Sequence, residues 1–141
     1  MEFASRLACL LLKDVGVPKI LIVEDSPDNM KLFRSLLTLK GHEVTGLSGG
    51  EGLLDALAAA EPDLVLMDIQ LPGKDGFALL EEIRRSPHQH LRVIALTAHA
   101  MAGDRERALQ AGFDGYITKP IEIRSFPEQV RRALTGEPLP A

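Results

Sequence analysis

The stretch LVLMDIQLPGKDG (residues 64–76) decides the fold. Four apolar residues run straight into Asp68, and a loop rich in Pro and Gly follows at once. A strand that is apolar at every position is buried on both faces, which points to a parallel sheet covered by helices. Ending such a strand on a bare carboxylate is costly unless another part of the chain compensates the charge. The rest of the sequence must therefore supply both the covering helices and the partners of Asp68.

Outward from that strand the pattern repeats. KILIVE (19–24) is a second apolar run rich in Ile and Val, and RVIALT (92–97) a third. EVTGL (43–47) and GYIT (115–118) are shorter strand candidates. Between them lie helical patterns. The first opens on Ser26-Pro27, a cap followed by a proline at the first helical position, and closes at Gly41. Further helices are expected over 50–61, 77–85, 101–111 and from about Ser125 to Leu134. Five strands alternating with five helices imply a doubly wound α/β fold with right-handed crossovers. Fold statistics favour the flavodoxin-like strand order 2-1-3-4-5, with ligands beyond the carboxyl ends of strands one and three.

Pro127 lies near the start of the last helix. Ser125-x-x-Glu128 has the capping-box pattern, which predicts a late helix start with 122–124 as a separate turn. The tail TGEPLPA is expected to fray.

At the strand ends stand Glu24 and Asp25, Asp68, Thr97 and Lys119. Neighbouring strands lie about 4.8 Å apart, so the carboxylates of strands one and three share one cleft. They would raise one another's pKa unless a cation sat among them. Oxygen donors without His or Cys favour Mg²⁺ over zinc or copper. Lys119 adds a fixed positive charge and Thr97 a hydroxyl donor. A metal, an amine, a hydroxyl and a carboxylate at a loop suit phosphoryl transfer to that carboxylate.

Other motifs carry less. GLSGGEG (46–52) follows a strand and precedes a helix but lacks the third glycine of a dinucleotide fingerprint and the Lys-Ser/Thr of a P-loop. His88-x-His90 sits in a polar loop beside Pro87 and reads as solvated. Net charge is −4 with no run of like charges, which argues against nucleic-acid binding through a basic face. One cysteine, Cys9, cannot form an intrachain disulfide and fits a reducing, cytoplasmic setting.

Three segments together resemble the receiver domain of bacterial two-component response regulators, the CheY-like superfamily. They are ILIVEDSPDN (20–29), LVLMDIQLPGKDG (64–76) and IALTAHAMAGDRERALQAGFDGYITKPI (94–121). The style is that of stand-alone DivK-type regulators and of receivers appended to hybrid histidine kinases. The resemblance implies Asp68 as phosphoacceptor, with Mg²⁺ (Mn²⁺ as a substitute) held by Asp25, Asp68, the Gln70 backbone carbonyl and, largely through water, Glu24. It implies that Lys119 and Thr97 contact the phosphoryl group and that Tyr116 is an aromatic switch. Lys119-Pro120 would be a cis bond, and Gly76 would occupy the turn into helix three. Gln70 and His99 would flank the site and tune phosphoryl lifetime.

The function so implied is a phospho-accepting signalling domain, assisting only its own phosphorylation and dephosphorylation. Its donors would be a histidine kinase or a histidine phosphotransfer protein, and its output a protein target on the face of helix four, strand five and helix five, or onward relay. The chain would be a monomer or a phosphorylation-dependent dimer, with neither nucleic acid nor membrane as partner.

Three readings compete with a stand-alone regulator: a receiver cut from a hybrid histidine kinase, a metal-dependent aspartyl phosphatase, and a scaffold that needs no phosphorylation. The phosphatase reading lacks a second acid two residues after Asp68, where Gln70 stands.

The receiver is expected over 19–135, with an extension over 1–18 and a tail over 136–141. Arg6 ahead of the short apolar run 7–12 has the order of a signal peptide but no A-x-A-like site. The extension reads first as a poorly ordered or loosely docked segment, native or of artificial origin. Phe3, Leu7, Leu10 and Leu11 fall at helical spacing, so an amphipathic docking or dimer helix is the alternative.

Overall fold

Apolar side chains on both faces of the central strands need covering from two sides, and the chain meets this with one sheet between two helical layers. A computed structural model of the chain describes residues 17–73, 75–98 and 102–139. The elements are β1 (Lys19–Val23), α1 (Pro27–Leu39), β2 (Glu43–Leu47), α2 (Leu53–Ala60), β3 (Leu64–Asp68), α3 (Gly76–Arg84), β4 (Arg92–Thr97), α4 (Ala102–Ala111), β5 (Gly115–Thr118) and α5 (Phe126–Thr135). The strands are all parallel, in the order β2-β1-β3-β4-β5. The expected flavodoxin-like topology is the one observed. The expected extension over 1–18 lies outside the described residues up to position 16.

Alternation along the strands divides the core in two. Leu21, Val23, Val65, Met67, Val93 and Ala95 face α2, α3 and α4 and pack with Leu57, Leu79, Ile83 and Phe113. Ile20, Ile22, Leu64, Leu66, Ile94 and Leu96 face the other way, against Phe33 and Leu37 of α1 and Phe126 and Val130 of α5. Every residue of β3 is buried, as its sequence required.

Local chemistry sets the helix ends. The Ser26 hydroxyl accepts a hydrogen bond from the Asn29 N–H, and Pro27 opens α1. Asp75 caps α3 by accepting from the Ala78 N–H. Helix α2 starts three residues later than its pattern suggested, because Gly52 lies in the left-handed region at φ +76° and cannot continue a helix.

Two expectations at the C-terminus are corrected. Helix α5 does begin late, after a turn at 123–125, but Ser125 makes no capping bond. Its backbone is already helical, and Glu128 is drawn forward to Arg131 and Arg132, which hold its carboxyl at about 2. Of the tail, the residues described, up to 139, are held in place. Left-handed Gly136 turns the chain, Glu137 N–H donates to the Arg132 carbonyl, and Leu139 packs against the second core.

Gly76 needs to be glycine. A Cβ there would lie 2.6 Å from Ile69 Cα and 2.8 Å from the Asp68 carbonyl oxygen, both backbone atoms that cannot swing aside. Gly76→Ala should therefore destabilise the fold by about 1–3 kcal/mol, read as a lowered denaturant midpoint. A midpoint equal to wild type would show that the end of β3 yields without cost.

Candidate phosphoryl-acceptor site

Register brings the strand ends together. Val23 pairs with Met67, so Glu24 and Asp68 stand side by side where the two strands stop. Asp68 pairs with Leu96 and Thr97 with Thr118, which sets Thr97 and Lys119 next along the same edge. The Lys119 N–H donates to the Thr97 carbonyl at 2.7 Å, fixing the start of the lysine's loop. The Lys119-Pro120 bond is cis.

The ammonium of Lys119 bridges two carboxylates. Its Nζ donates to Asp68 Oδ2 at 2.8 Å and to Glu24 Oε1 at 3.0 Å. All three side chains are shielded from water: 14% of Lys119 is exposed, 2% of Asp68 and none of Glu24. The remaining oxygens are held by backbone, Asp68 Oδ1 by the Gln70 N–H and Glu24 Oε2 by the Ser26 N–H. Burial pushes the Glu24 carboxyl up, and its bonds to Ser26 and Lys119 only partly offset this. Burial alone would pull the Lys119 ammonium down, but hydrogen bonds to Asp68 and Glu24 outweigh it, so the group is held above its ordinary value.

Asp25 is exposed and leaves the capping of α1 to Ser26. Glu24, Asp25 and Asp68 each offer a carboxylate oxygen, and these oxygens lie within 4.8 Å of one another. Three carboxylates face one ammonium, which leaves an excess of negative charge in the cleft. Hard oxygen donors carrying that excess charge fit Mg²⁺. No other such cluster of His, Cys, Asp or Glu occurs among the described residues, and the His88/His90 pair is not one.

Thr97 is buried beside this group, and Tyr116 is half-buried on β5. Gln70 is exposed; His99 lies outside the described residues. The glycine-rich loop after β2 lines a separate cavity of about 610 Å³ with Leu47, Ser48 and Pro72. Two features escaped the sequence reading. One is the Ser26 N–H on Glu24, implicit in placing a cap two residues after a strand end. The other is the Arg105 guanidinium, 5.0 Å above the Tyr116 ring, for which no sequence pattern exists.

A model of the response regulator receiver domain matches residues 20–131. The chain belongs to that family. As a receiver it has a phosphoryl-accepting signalling role in two-component systems. It is 42% identical over 120 residues to the polar-differentiation response regulator DivK of Brucella anthropi, covering 84% of this chain and 98% of that one. It is also 42% identical over 117 residues to the sensor protein GacS of Pseudomonas syringae, but this match takes in only 13% of that protein's length. Among solved structures, the receiver domain of a Pseudomonas aeruginosa sensor histidine kinase, described with a magnesium ion coordinated in its active-site cleft, is 35% identical. Its TM-score is 0.72, with 85% of this chain and 99% of that one covered. Among the described residues, no helix is long and apolar enough to cross a membrane.

Proposed function

We propose that Asp68 accepts a phosphoryl group from a phosphohistidine, with Glu24, Asp25, Asp68 and the Gln70 carbonyl holding Mg²⁺, or Mn²⁺ in its place. The observation that carries this reading is a buried aspartate held on both oxygens, by Lys119 and by the Gln70 N–H, beside two further carboxylates.

These contacts orient the carboxylate for attack. An Asp68 oxygen forms a bond to phosphorus as the donor's N–P bond breaks, and the imidazole leaves with the bonding pair. A bound Mg²⁺ would offset charge on the phosphoryl oxygens. Lys119 already lies against Asp68 and supplies a second positive charge without reorganisation. The Thr97 hydroxyl donates to a phosphoryl oxygen, and Tyr116 follows as the switch residue.

The partners are a histidine kinase or phosphotransfer protein as donor and a protein target on the α4, β5 and α5 face, with the chain monomeric or dimerising on phosphorylation in the cytoplasm. Its own catalysis is limited to gaining and losing this phosphoryl group. Both relatives, one that the chain nearly spans and one of which it spans a small part, support the receiver role.

Removing the divalent ion provides the test. Labelling by a small-molecule phosphodonor should fall at least tenfold in EDTA and return with Mg²⁺. Asp25→Asn should raise the Mg²⁺ needed for half-maximal labelling about tenfold or more. Labelling indifferent to both would remove the acidic cluster from the reaction.

A further inference from the structure

Helix α4 is poorly equipped to hold itself to the sheet. Of the described side chains in AGDRERALQA, those of residues 103–111, only Ala108 joins the buried core, and Leu109 is about half exposed. Two arginines compensate. Arg107 lies 4.4 Å above the Phe77 ring of α3, and Arg105 lies 5.0 Å above the Tyr116 ring of β5. Distances of this size place a guanidinium within cation–π range of both rings.

The Nε of Arg105 makes no hydrogen bond among the described residues. With no hydrogen bond from that atom to compete, the contact with the Tyr116 ring is what remains to hold the guanidinium in place. Tyr116 lies on the sheet face shared with Thr118 and, across the ladder, with Ala95 and Thr97. Directly opposite Tyr116 on the ladder stands the small Ala95.

We propose that Arg105 is a positioning residue for the switch: its guanidinium clamps the Tyr116 ring in the resting position, and this contact sets how readily the domain converts on phosphorylation. The inference rests on the reading of Tyr116 as the switch residue. When the ring moves toward Thr97 it leaves the guanidinium, and α4 loses one of its two aromatic anchors. Conversion and loosening of α4 are then one event. A partly desolvated cation–π contact is enough to shift a two-state equilibrium about three- to tenfold.

The sequence supplies its own reporter, because Tyr116 is the single tyrosine. Fluorotyrosine incorporation therefore gives one ¹⁹F label on the protein, on this ring, read apart from the signals of fluoride and beryllofluoride. The full chain is titrated with beryllofluoride in excess Mg²⁺, as wild type, Arg105→Met and Arg105→Lys. Arg105→Met keeps the aliphatic stem and loses the charge. It should move the free-state resonance toward its beryllofluoride-saturated position and tighten apparent beryllofluoride binding about three- to tenfold. Arg105→Lys keeps a cation over the ring and should stay within about twofold of wild type, an outcome a merely structural role would not produce.

If the wild-type resonance moves but all three proteins titrate alike, the clamp is wrong and the switch stands. If Arg105→Lys behaves as Arg105→Met, a cation is not what holds the ring, and the clamp is again wrong. If the wild-type resonance does not move on saturation, the switch reading fails and the clamp fails with it. Far-UV circular dichroism of each variant confirms that the fold is retained.

Discussion

Lys119→Met should destabilise the domain by about 3–5 kcal/mol in Mg²⁺-free buffer at neutral pH. Methionine keeps the unbranched stem but removes the one ammonium that bridges Glu24 and Asp68. Both carboxylates are buried, and their remaining contacts, to the N–H groups of Ser26 and Gln70, offset only part of the charge. Two consequences distinguish this mechanism from simple loss of packing. Mg²⁺ should raise the unfolding midpoint more in the variant than in wild type, because the ion replaces the missing charge.

The pH dependence has a definite sign. Glu24 is already raised above its ordinary 4.5 by burial and its interaction with Asp68, and removing Lys119 raises it further. A carboxyl raised in the folded state binds its proton more tightly there than in the unfolded chain. Its contribution is therefore best below the unfolded pKa and is lost as pH rises through the folded one. The deficit of Lys119→Met should shrink as pH falls from neutral toward 4.5. Denaturant unfolding at a series of pH values measures it. A deficit constant across that range would mean that packing, not charge, is what the lysine contributes.

Asp68→Asn should reduce phosphoryl incorporation at least a thousandfold, because an amide oxygen is a far weaker nucleophile than a carboxylate. Asparagine keeps the shape and an oxygen for the Gln70 N–H or for Lys119. It also removes one of three crowded negative charges, so the variant should fold with stability equal to or above wild type. Loss of labelling with an undiminished denaturant midpoint separates a chemical role from a structural one. Labelling within tenfold of wild type would move the acceptor elsewhere.

Some of this molecule is plain in its sequence, and the reasons are physical. β1, β3 and β4 are apolar at nearly every position because both faces are covered, and such runs have few alternatives. Once those strands are parallel neighbours, Glu24, Asp68, Thr97 and Lys119 must fall along one edge. What the sequence does not carry is any competition between local and distant contacts. Ser125 and Glu128 have the spacing of a capping box, yet Arg131 and Arg132 win the carboxylate. The tail reads as polar and proline-rich, yet Leu139 finds the core once Gly136 reverses the chain. Arg105 over Tyr116 joins residues of different elements through a contact that no periodicity encodes.

The central claim, that the carboxylate closing β3 is the phosphoryl acceptor, is tested most directly by locating the group chemically. The full chain is incubated with a phosphodonor and Mg²⁺, then reduced with borohydride, which converts an aspartyl phosphate to homoserine, and mapped by peptide mass spectrometry. Homoserine at position 68 alone, absent when Mg²⁺ is withheld, is the predicted result. Homoserine at Asp25 or Asp75, or label retained on His88 or His90 with Asp68 intact, would contradict it.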